Sequence, residues 1–282
     1  MRSDLESVHR LAFGLVPELP GQEDRVAWSG LLEAAAVEEL EGLLYHRCRS
    51  LGLTLPAEAD QRWGEAYRST AARTLDLLAE LERLLAGLAA AGIEVLVLPG
   101  AALLPLYPDP GCRPMDDLDL LAPPGTLATV VDAIVSLGFS RIPRHPALLS
   151  RRGLVVDLHD DPLNSGRVSG RRLGGRLDPA LVWQARRPRR LEGLPVQVLG
   201  PEDEVLYTAA HALRHSFRRI TWLLDLEGQS RTGMDWDSLR RQARRTGLER
   251  ALLHGMRLLR DLLGGVGRDL PAPPAAWLEA MP

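Results

Sequence analysis

Apolar side chains recur at three- and four-residue intervals through the first 90 residues, which is the spacing of amphipathic α-helices. The strongest pattern covers residues 57–91, where charged side chains occupy the opposite face. We expect its buried stripe to consist of five leucines: Leu75, Leu78, Leu81, Leu85 and Leu88. Gly92 follows, and a glycine after the last turn commonly ends a helix. The sequence therefore predicts an N-terminal helical region at residues 1–92.

The spacing changes after Gly92. Residues 93–98 form a short apolar run that Pro99 and Gly100 end, which predicts a buried strand. Further strands are predicted near residues 118–121, 153–159 and 196–199, with helices at 101–107 and 126–137. The Gly- and Arg-rich stretch at 165–175 is expected to be a mobile loop. These elements predict a small mixed β-sheet core at residues 93–200.

The pattern becomes helical again at Pro201. A proline followed by three acidic residues is typical of a helix start, because the acids interact favourably with the positive end of the helix. Further helices are predicted at about 220–227, 235–245 and 248–263, and the tail from Leu270 is compatible with a short final helix. We therefore expect an α+β fold, in which the core is flanked by the N-terminal helical region and a C-terminal helical domain at residues 201–282.

Composition narrows the possible functions. The 282 residues carry a net charge of −3, which counts against a general nucleic-acid-binding protein. No apolar run reaches the roughly 18 residues of a membrane span, and the first residues lack a secretory signal, so we expect a cytoplasmic protein. Cys48 and Cys112 are too few for a disulfide scaffold or a metal cluster. All 34 basic residues are arginine, so a phosphate-binding site must use arginine, backbone N–H groups or a metal.

Three aspartates carry the candidate chemistry. Asp117 and Asp119 point to the same face if they lie in one strand, and Asp157 comes from another predicted strand. Adjacent carboxylates repel each other unless a cation neutralises them. Mg²⁺ prefers a few carboxylates together with substrate phosphates, and two such ions can support an in-line displacement at phosphorus. The alternative is that these acids form the solvated edge of a surface strand.

Three segments around these acids carry a resemblance to a known family. They read LPGAAL at residues 98–103, LYPDPGCRPMDDLDLL at 106–121 and VDLH at 156–159. Downstream come HALRH at 211–215 and WLLDL at 222–226. Over residues 98–226 the chain resembles the uncharacterised nucleotidyltransferases of the polymerase-β-like superfamily. The run from Arg113 to Asp119 is the most specific part of the match.

The resemblance implies a nucleotidyltransferase core and a set of site residues. Asp117 and Asp119 would be metal ligands and Asp157 the third acid, with Mg²⁺ or Mn²⁺ as the cofactor. The substrates would be an NTP and an unidentified acceptor, which could be a small molecule, a protein or RNA. No membrane partner is implied.

The resemblance also implies contacts with the nucleotide phosphates. Gly100 and Ala101 would form the turn whose backbone approaches them. Arg113 would contact a phosphate or orient the acids, and its alternative is a simple pair with Asp116.

Two departures from the family pattern leave the activity open. Pro99 replaces a lysine, and Ala101 stands where active members favour Gly or Ser. Our first hypothesis is an Mg²⁺-dependent enzyme that transfers NMP from an NTP to a hydroxyl or phosphate acceptor. The alternative is a catalytically inactive nucleotide- or partner-binding protein on the same fold. A third possibility is a phosphohydrolase that uses the same acids.

The histidines are assigned less directly. His211 and His215 lie four residues apart and therefore share one helix face, where they could contact the nucleotide or acceptor or serve a structural role. His211 is the candidate nucleotide contact, and Asp225 could pair with either histidine. We expect His159 to point to the opposite side of its strand from Asp157. The arginine clusters at 186–190 and 240–245 are interpreted as solvated faces, with a polyanion contact as the alternative.

Overall fold

The computed structural model describes residues 2–14, 19–164 and 175–264. Within these ranges the protein is a mixed α+β fold with ten α-helices and one seven-stranded sheet. Most of the predicted mobile loop at 165–175 and the tail from Leu270 lie outside the described residues. No described helix combines the length and the apolar character needed to cross a membrane.

Four helices precede the sheet. They are Arg2–Ala12 (α1), Arg25–Val37 (α2), Glu41–Ser50 (α3) and Ala57–Ala90 (α4). The predicted end of α4 is confirmed: Gly92 has a φ of +71°, and the N–H of Ile93 donates to the carbonyl oxygen of Leu88. The predicted stripe is partly wrong, because Leu75 is 53% exposed. The leucines that α4 buries are Leu77, Leu78, Leu81, Leu84 and Leu88.

The seven strands form a mixed sheet. They are Leu96–Val97 (β1), Leu118–Leu121 (β2), Ser140–Ile142 (β3), His145–Arg151 (β4), Leu154–His159 (β5), Arg187–Leu191 (β6) and Leu194–Val198 (β7). Their order is β3-β4-β5-β2-β1-β7-β6, with the β2/β5 and β1/β7 pairs parallel and the other pairs antiparallel. The sequence analysis missed β3, β4 and β6.

The remaining elements connect and cover the sheet. Two short 3-10 helices, Ala101–Leu106 and Pro110–Cys112, lie between β1 and β2. Two α-helices lie between strands, Leu127–Ser136 (α5) and Pro179–Gln184 (α6), of which α6 was not predicted. The C-terminal helices are Pro201–Arg214 (α7), Thr221–Ser230 (α8), Trp236–Thr246 (α9) and Glu249–Gly264 (α10), close to the predicted ranges.

Two apolar clusters cover the two sides of the sheet. The first joins residues of the N-terminal helices α1–α3 and the C-terminal helices α7–α10 to Leu96, Leu98 and Leu121 of the sheet. The second joins α4 and α5 to residues such as Val97 and Leu120. Successive strand residues therefore alternate between the clusters, as a pleated strand requires. The N- and C-terminal helices share one core, and the division of the chain at residues 92 and 200 stays a prediction.

Candidate functional site

The register between β2 and β5 brings two of the predicted acids together. The strands are parallel, and Asp119 pairs directly with Asp157. Leu118 and Leu120 are buried against α4 and α5, so Asp119 points to the opposite side, where α7 lies. The two carboxylates consequently sit side by side on one face of the sheet.

Asp117 lies immediately before β2 rather than within it, because the strand begins at Leu118. It still faces the same cleft as Asp119 and Asp157. Partial desolvation of its carboxyl and the charges of Asp119, Asp116 and Asp157 raise the pKa of Asp117 to about 6, although much of the residue is exposed. The structure therefore brings all three predicted acids into one cleft, where they repel each other.

The prediction for His159 is wrong. Residues two apart in a strand share a face, so His159 lies on the same side of β5 as Asp157. Its Nε2 is 2.9 Å from Oδ1 of Asp119 and 3.7 Å from Oδ2 of Asp157. One ligand atom from each of these three residues lies within 4.8 Å of the other two. His159 is thus a fourth member of the site.

This donor set fits a divalent cation. Carboxylate oxygens are the ligands that Mg²⁺ prefers, and Mn²⁺ also accepts carboxylates. Desolvation and the neighbouring carboxylates raise the pKa of Asp117, and a cation bound among these acids would offset both effects. The imidazole of His159 supplies either an additional ligand or a hydrogen bond that orients Asp119.

The turn after β1 lies at the edge of the same cleft. Gly100 has φ +134° and ψ −98°, a conformation that favours glycine, and no atom would lie within 4 Å of a Cβ added there. Among the described residues, neither the N–H of Gly100 nor that of Ala101 has a hydrogen-bond partner. Gly100 lines the cleft, whereas Ala101 is buried and is absent from its lining.

Arg113 lies in the floor of the cleft and pairs with Asp225. Nε and one terminal nitrogen donate to the two oxygens of Asp225 at 3.0 and 2.8 Å, and the hydroxyl of Tyr107 donates to the same carboxylate at 2.7 Å. Burial disfavours the charge of Arg113, but contact with Asp225 outweighs it and raises the pKa of the guanidinium above its usual value. Two alternatives are therefore wrong: Arg113 does not pair with Asp116, and Asp225 does not pair with a histidine.

Aromatic rings form the wall opposite the acids. Tyr207 and His211 of α7 and His215, which directly follows the helix, are spaced four residues apart. Trp222 of α8 packs on both histidines with ring centroids 5.3 Å apart. Burial and the neighbouring His215 lower the pKa of His211 to about 4, so this imidazole is neutral at pH 7. The predicted helix face is confirmed, and it borders the cleft.

Three arginines that the sequence analysis missed line the same cleft: Arg214, Arg218 and Arg219. Arg214 is half-buried near the end of α7, and Arg218 is exposed in the turn before α8. This turn contains two consecutive non-glycine residues with positive φ, Ser216 and Phe217. Such strain persists only where surrounding contacts hold it, and it is common at functional sites. Arg214 follows His211 by three residues, so the helical period could have placed it on this face.

The basic clusters at 186–190 and 240–245 lie outside the cleft. Arg187 and Arg189 pair with Glu204, and Arg240 and Arg244 with Glu249. The cleft itself has a volume of about 860 Å³, within the usual range for a small-molecule site.

A comparison with protein families agrees with the resemblance. The model of a family described as "Uncharacterised nucleotidyltransferase" matches residues 24–264. A crystal structure of an antigenic nucleotidyltransferase-like protein from Paracoccidioides brasiliensis aligns with a TM-score of 0.45 and 15% identity, over 77% of this chain and 97% of that one. The solution structure of the antibiotic-resistance factor ANT(2'')-Ia aligns with a TM-score of 0.39 and 13% identity, over 68% and 97%.

A search of curated proteins finds no significant sequence match. The family match covers most of the chain and includes every residue of the cleft. The protein therefore belongs to the family of uncharacterised nucleotidyltransferases.

Proposed function

We propose that this protein transfers a nucleoside monophosphate from an NTP to a hydroxyl or phosphate acceptor, with Mg²⁺ or Mn²⁺ as cofactor. The observation that carries the proposal is the pairing of Asp119 with Asp157 across β2 and β5, with Asp117 and an aromatic wall facing the same cleft. In the reaction, an acceptor oxygen bonds to the α-phosphorus, the bond from that phosphorus to the bridging oxygen breaks, and pyrophosphate leaves.

The three aspartates would hold the metal. Bound there, a divalent cation neutralises phosphate charge and lowers the pKa of the attacking hydroxyl. In our proposal Asp157 also takes the acceptor proton, because it lines the cleft beside Asp119 on the neighbouring strand β5. His159 orients Asp119 through the 2.9 Å contact.

Charge from the opposite side would bind the triphosphate. The chain contains no lysine, so arginines and backbone N–H groups must supply the positive contacts. Arg214 and Arg218 lie on the wall that faces the acids, and the N–H groups of Gly100 and Ala101 have no partner among the described residues. Arg113 also faces the cleft, although two of its guanidinium nitrogens already donate hydrogen bonds to Asp225.

The aromatic wall would bind the nucleobase. Neutral His211, together with His215 and Trp222, offers ring surfaces that line the cleft across from the carboxylates. A base stacked there would place its phosphates toward Asp117 and Asp119. Stacking tolerates every base, so these rings favour nucleotide binding without fixing which NTP is used.

The main test compares Asp119→Asn with Asp160→Asn. Asp160 is exposed, follows His159 directly and does not line the cleft, so it controls for the loss of one negative charge nearby. Each protein is incubated with a labelled NTP, Mg²⁺ or Mn²⁺ and a cell extract. We expect pyrophosphate release and a labelled acceptor with the native protein and Asp160→Asn, and neither with Asp119→Asn. Equal turnover by Asp119→Asn would refute the site.

A binding protein without catalysis is the second candidate, and Pro99 favours it. Proline contributes no N–H and no charge to the turn that would contact the phosphates. Metal-dependent NTP binding without pyrophosphate release would support this function. Phosphate release without any acceptor would instead indicate a phosphohydrolase.

A further inference from the structure

A second group of metal-binding side chains lies outside the cleft. It consists of His46 on α3, Asp109 at the start of the second 3-10 helix and Cys112 at the end of that helix. Nε2 of His46 is 3.7 Å from Oδ2 of Asp109, and Sγ of Cys112 is 3.7 Å from Oδ1. One ligand atom from each residue lies within 4.8 Å of the other two. None of the three lines the cleft that holds the aspartates.

Nε2 of His46 faces Asp109 without bonding to it. It approaches Oδ2 of Asp109 only to 3.7 Å, which is too far for a hydrogen bond. Among the described residues no other group hydrogen-bonds to this ring. Nε2 is therefore not engaged by another described group and is available as a ligand.

The spacing matches a shared tetrahedral ion. Zinc binds His nitrogen and carboxylate oxygen at about 2.0–2.2 Å and Cys sulfur at about 2.3 Å. In a tetrahedron these bond lengths place neighbouring ligand atoms about 3.4–3.6 Å apart. Both 3.7 Å separations are close to this distance, but they reach different oxygens of the Asp109 carboxylate. Small rotations of the three side chains are therefore needed to bring one ligand atom of each around a single ion.

The backbone around Asp109 is held firmly. The hydroxyl of Tyr67 donates to Oδ2 of Asp109 at 2.6 Å, and the N–H of Gly111 donates to Oδ1 at 2.8 Å. A Cβ on Gly111 would lie 2.6 Å from the Tyr67 ring, and a Cβ on Gly42 would lie 2.2 Å from the carbonyl oxygen of Gly111. The segment is therefore packed tightly between α3 and α4, which preorganises two of the three ligands.

We propose that His46, Asp109 and Cys112 bind a Zn²⁺ ion, with water at the fourth position. The combination of nitrogen, oxygen and sulfur ligands suits zinc and is unsuited to Mg²⁺, which prefers oxygen. Binding replaces the proton of the Cys112 thiol, which is released to solvent. The ion would join α3 to the segment that leads directly into Arg113, so it would stabilise the floor of the cleft without taking part in the reaction.

Cobalt provides a probe that reports on this site alone. Co²⁺ replaces Zn²⁺ in such sites, and a thiolate ligand adds a charge-transfer band in the near ultraviolet. The described residues that line the active-site cleft include no cysteine, so Co²⁺ bound there cannot give this band. The full chain is stripped with a chelator and titrated with Co²⁺, and the bound ion is then displaced with Zn²⁺. We expect one equivalent of Co²⁺ to give the band and Zn²⁺ to abolish it.

Four variants decide the assignment. Cys112→Ser and His46→Gln should lose the band, whereas Cys48→Ser should keep it. Cys48 is the matched control, because it is the other buried cysteine and lies on α3, the helix that carries His46. Asp119→Asn should keep it as well, which separates this site from the proposed active site. Circular dichroism without metal checks that each variant is folded, and His46→Gln changes only a partly exposed side chain.

Tyr67→Phe tests the hydrogen bond that positions Asp109, and we expect it to weaken zinc affinity about 10- to 100-fold. A native protein without a thiolate band would overturn the proposal. A band that persists in Cys112→Ser, or that disappears in Cys48→Ser, would overturn it equally.

Discussion

The buried pair of Arg113 and Asp225 allows a sharp test of how the cleft floor is built. Their side chains are 8% and 2% exposed, and two hydrogen bonds join them. Asp225→Asn keeps the shape of the side chain but removes the negative charge, which leaves the guanidinium buried without a counter-ion. Removing one partner of a buried ion pair costs about 3–5 kcal/mol of unfolding free energy. For a chain of this size that corresponds to a fall in Tm of about 6–20 °C.

Thermal and urea unfolding, followed by circular dichroism, measure this loss. The double variant Arg113→Met with Asp225→Leu replaces both charges by apolar groups, so it should recover most of the stability that Asp225→Asn loses. A loss of unfolding free energy below about 1 kcal/mol in Asp225→Asn would refute the reasoning, because a buried charge without a counter-ion destabilises the fold by more than that. A double variant no more stable than Asp225→Asn would contradict it too.

Three further predictions concern the wall and the core. In EDTA, neutral His211 contributes stability that is complete above its unfolded pKa of about 6.5 and is lost as pH falls toward its folded pKa of about 4. As the pH falls through this range, the native protein should therefore lose stability relative to His211→Gln by up to about 1.4 kcal/mol per pH unit. Unfolding free energies of the two proteins that change in parallel with pH would contradict this. Leu81→Ala should cost about 2–5 kcal/mol because Leu81 is fully buried on α4, whereas exposed Leu75→Ala should cost under about 0.5 kcal/mol in the same denaturation assay. Trp222→Ala should weaken NTP binding by about 1–3 kcal/mol in calorimetry while leaving Mn²⁺ affinity unchanged. An equal loss of NTP affinity and Mn²⁺ affinity would argue against a base-stacking role.

The helices were predictable because their apolar spacing is set by their own sequence. Long leucine-rich α4 shows the limit of that signal. It contains two overlapping stripes at helical spacing, and only the elements packed against it decide that Leu77 is buried and Leu75 exposed. Sequence periodicity identifies a helix but does not choose between two candidate faces.

The missed strands lack such an internal signal. In β6, Arg187 and Arg189 resemble a solvated basic run. The segment is nevertheless a strand, because β7 pairs with it and both arginines form ion pairs with Glu204. Edge strands are defined by their neighbours as much as by their own residues. The same reasoning applies to β3 at the other edge of the sheet.

The candidate site was predicted in part. The motif around Asp117 and Asp119 identified the acids because their types and spacing are local features. The bond from Arg113 to Asp225 joins residues 112 positions apart, and no local pattern contains that information. His159 differs from these cases: the two-residue period of a strand already places it beside Asp157, so the sequence alone was sufficient.

Because Asp119 and Asp157 are paired residues of β2 and β5, the register of these strands also determines the geometry of the candidate site. The leucines that flank these acids are fully buried on the other side of the sheet. If β2 slipped by one position against its neighbours, its carboxylate would enter the apolar interior and a leucine would face the cleft. Because such a slip would bury a carboxylate and expose buried leucines, we expect no stable misaligned form. Mutational drift in this sheet should therefore abolish the fold before it can produce a well-folded protein with displaced acids.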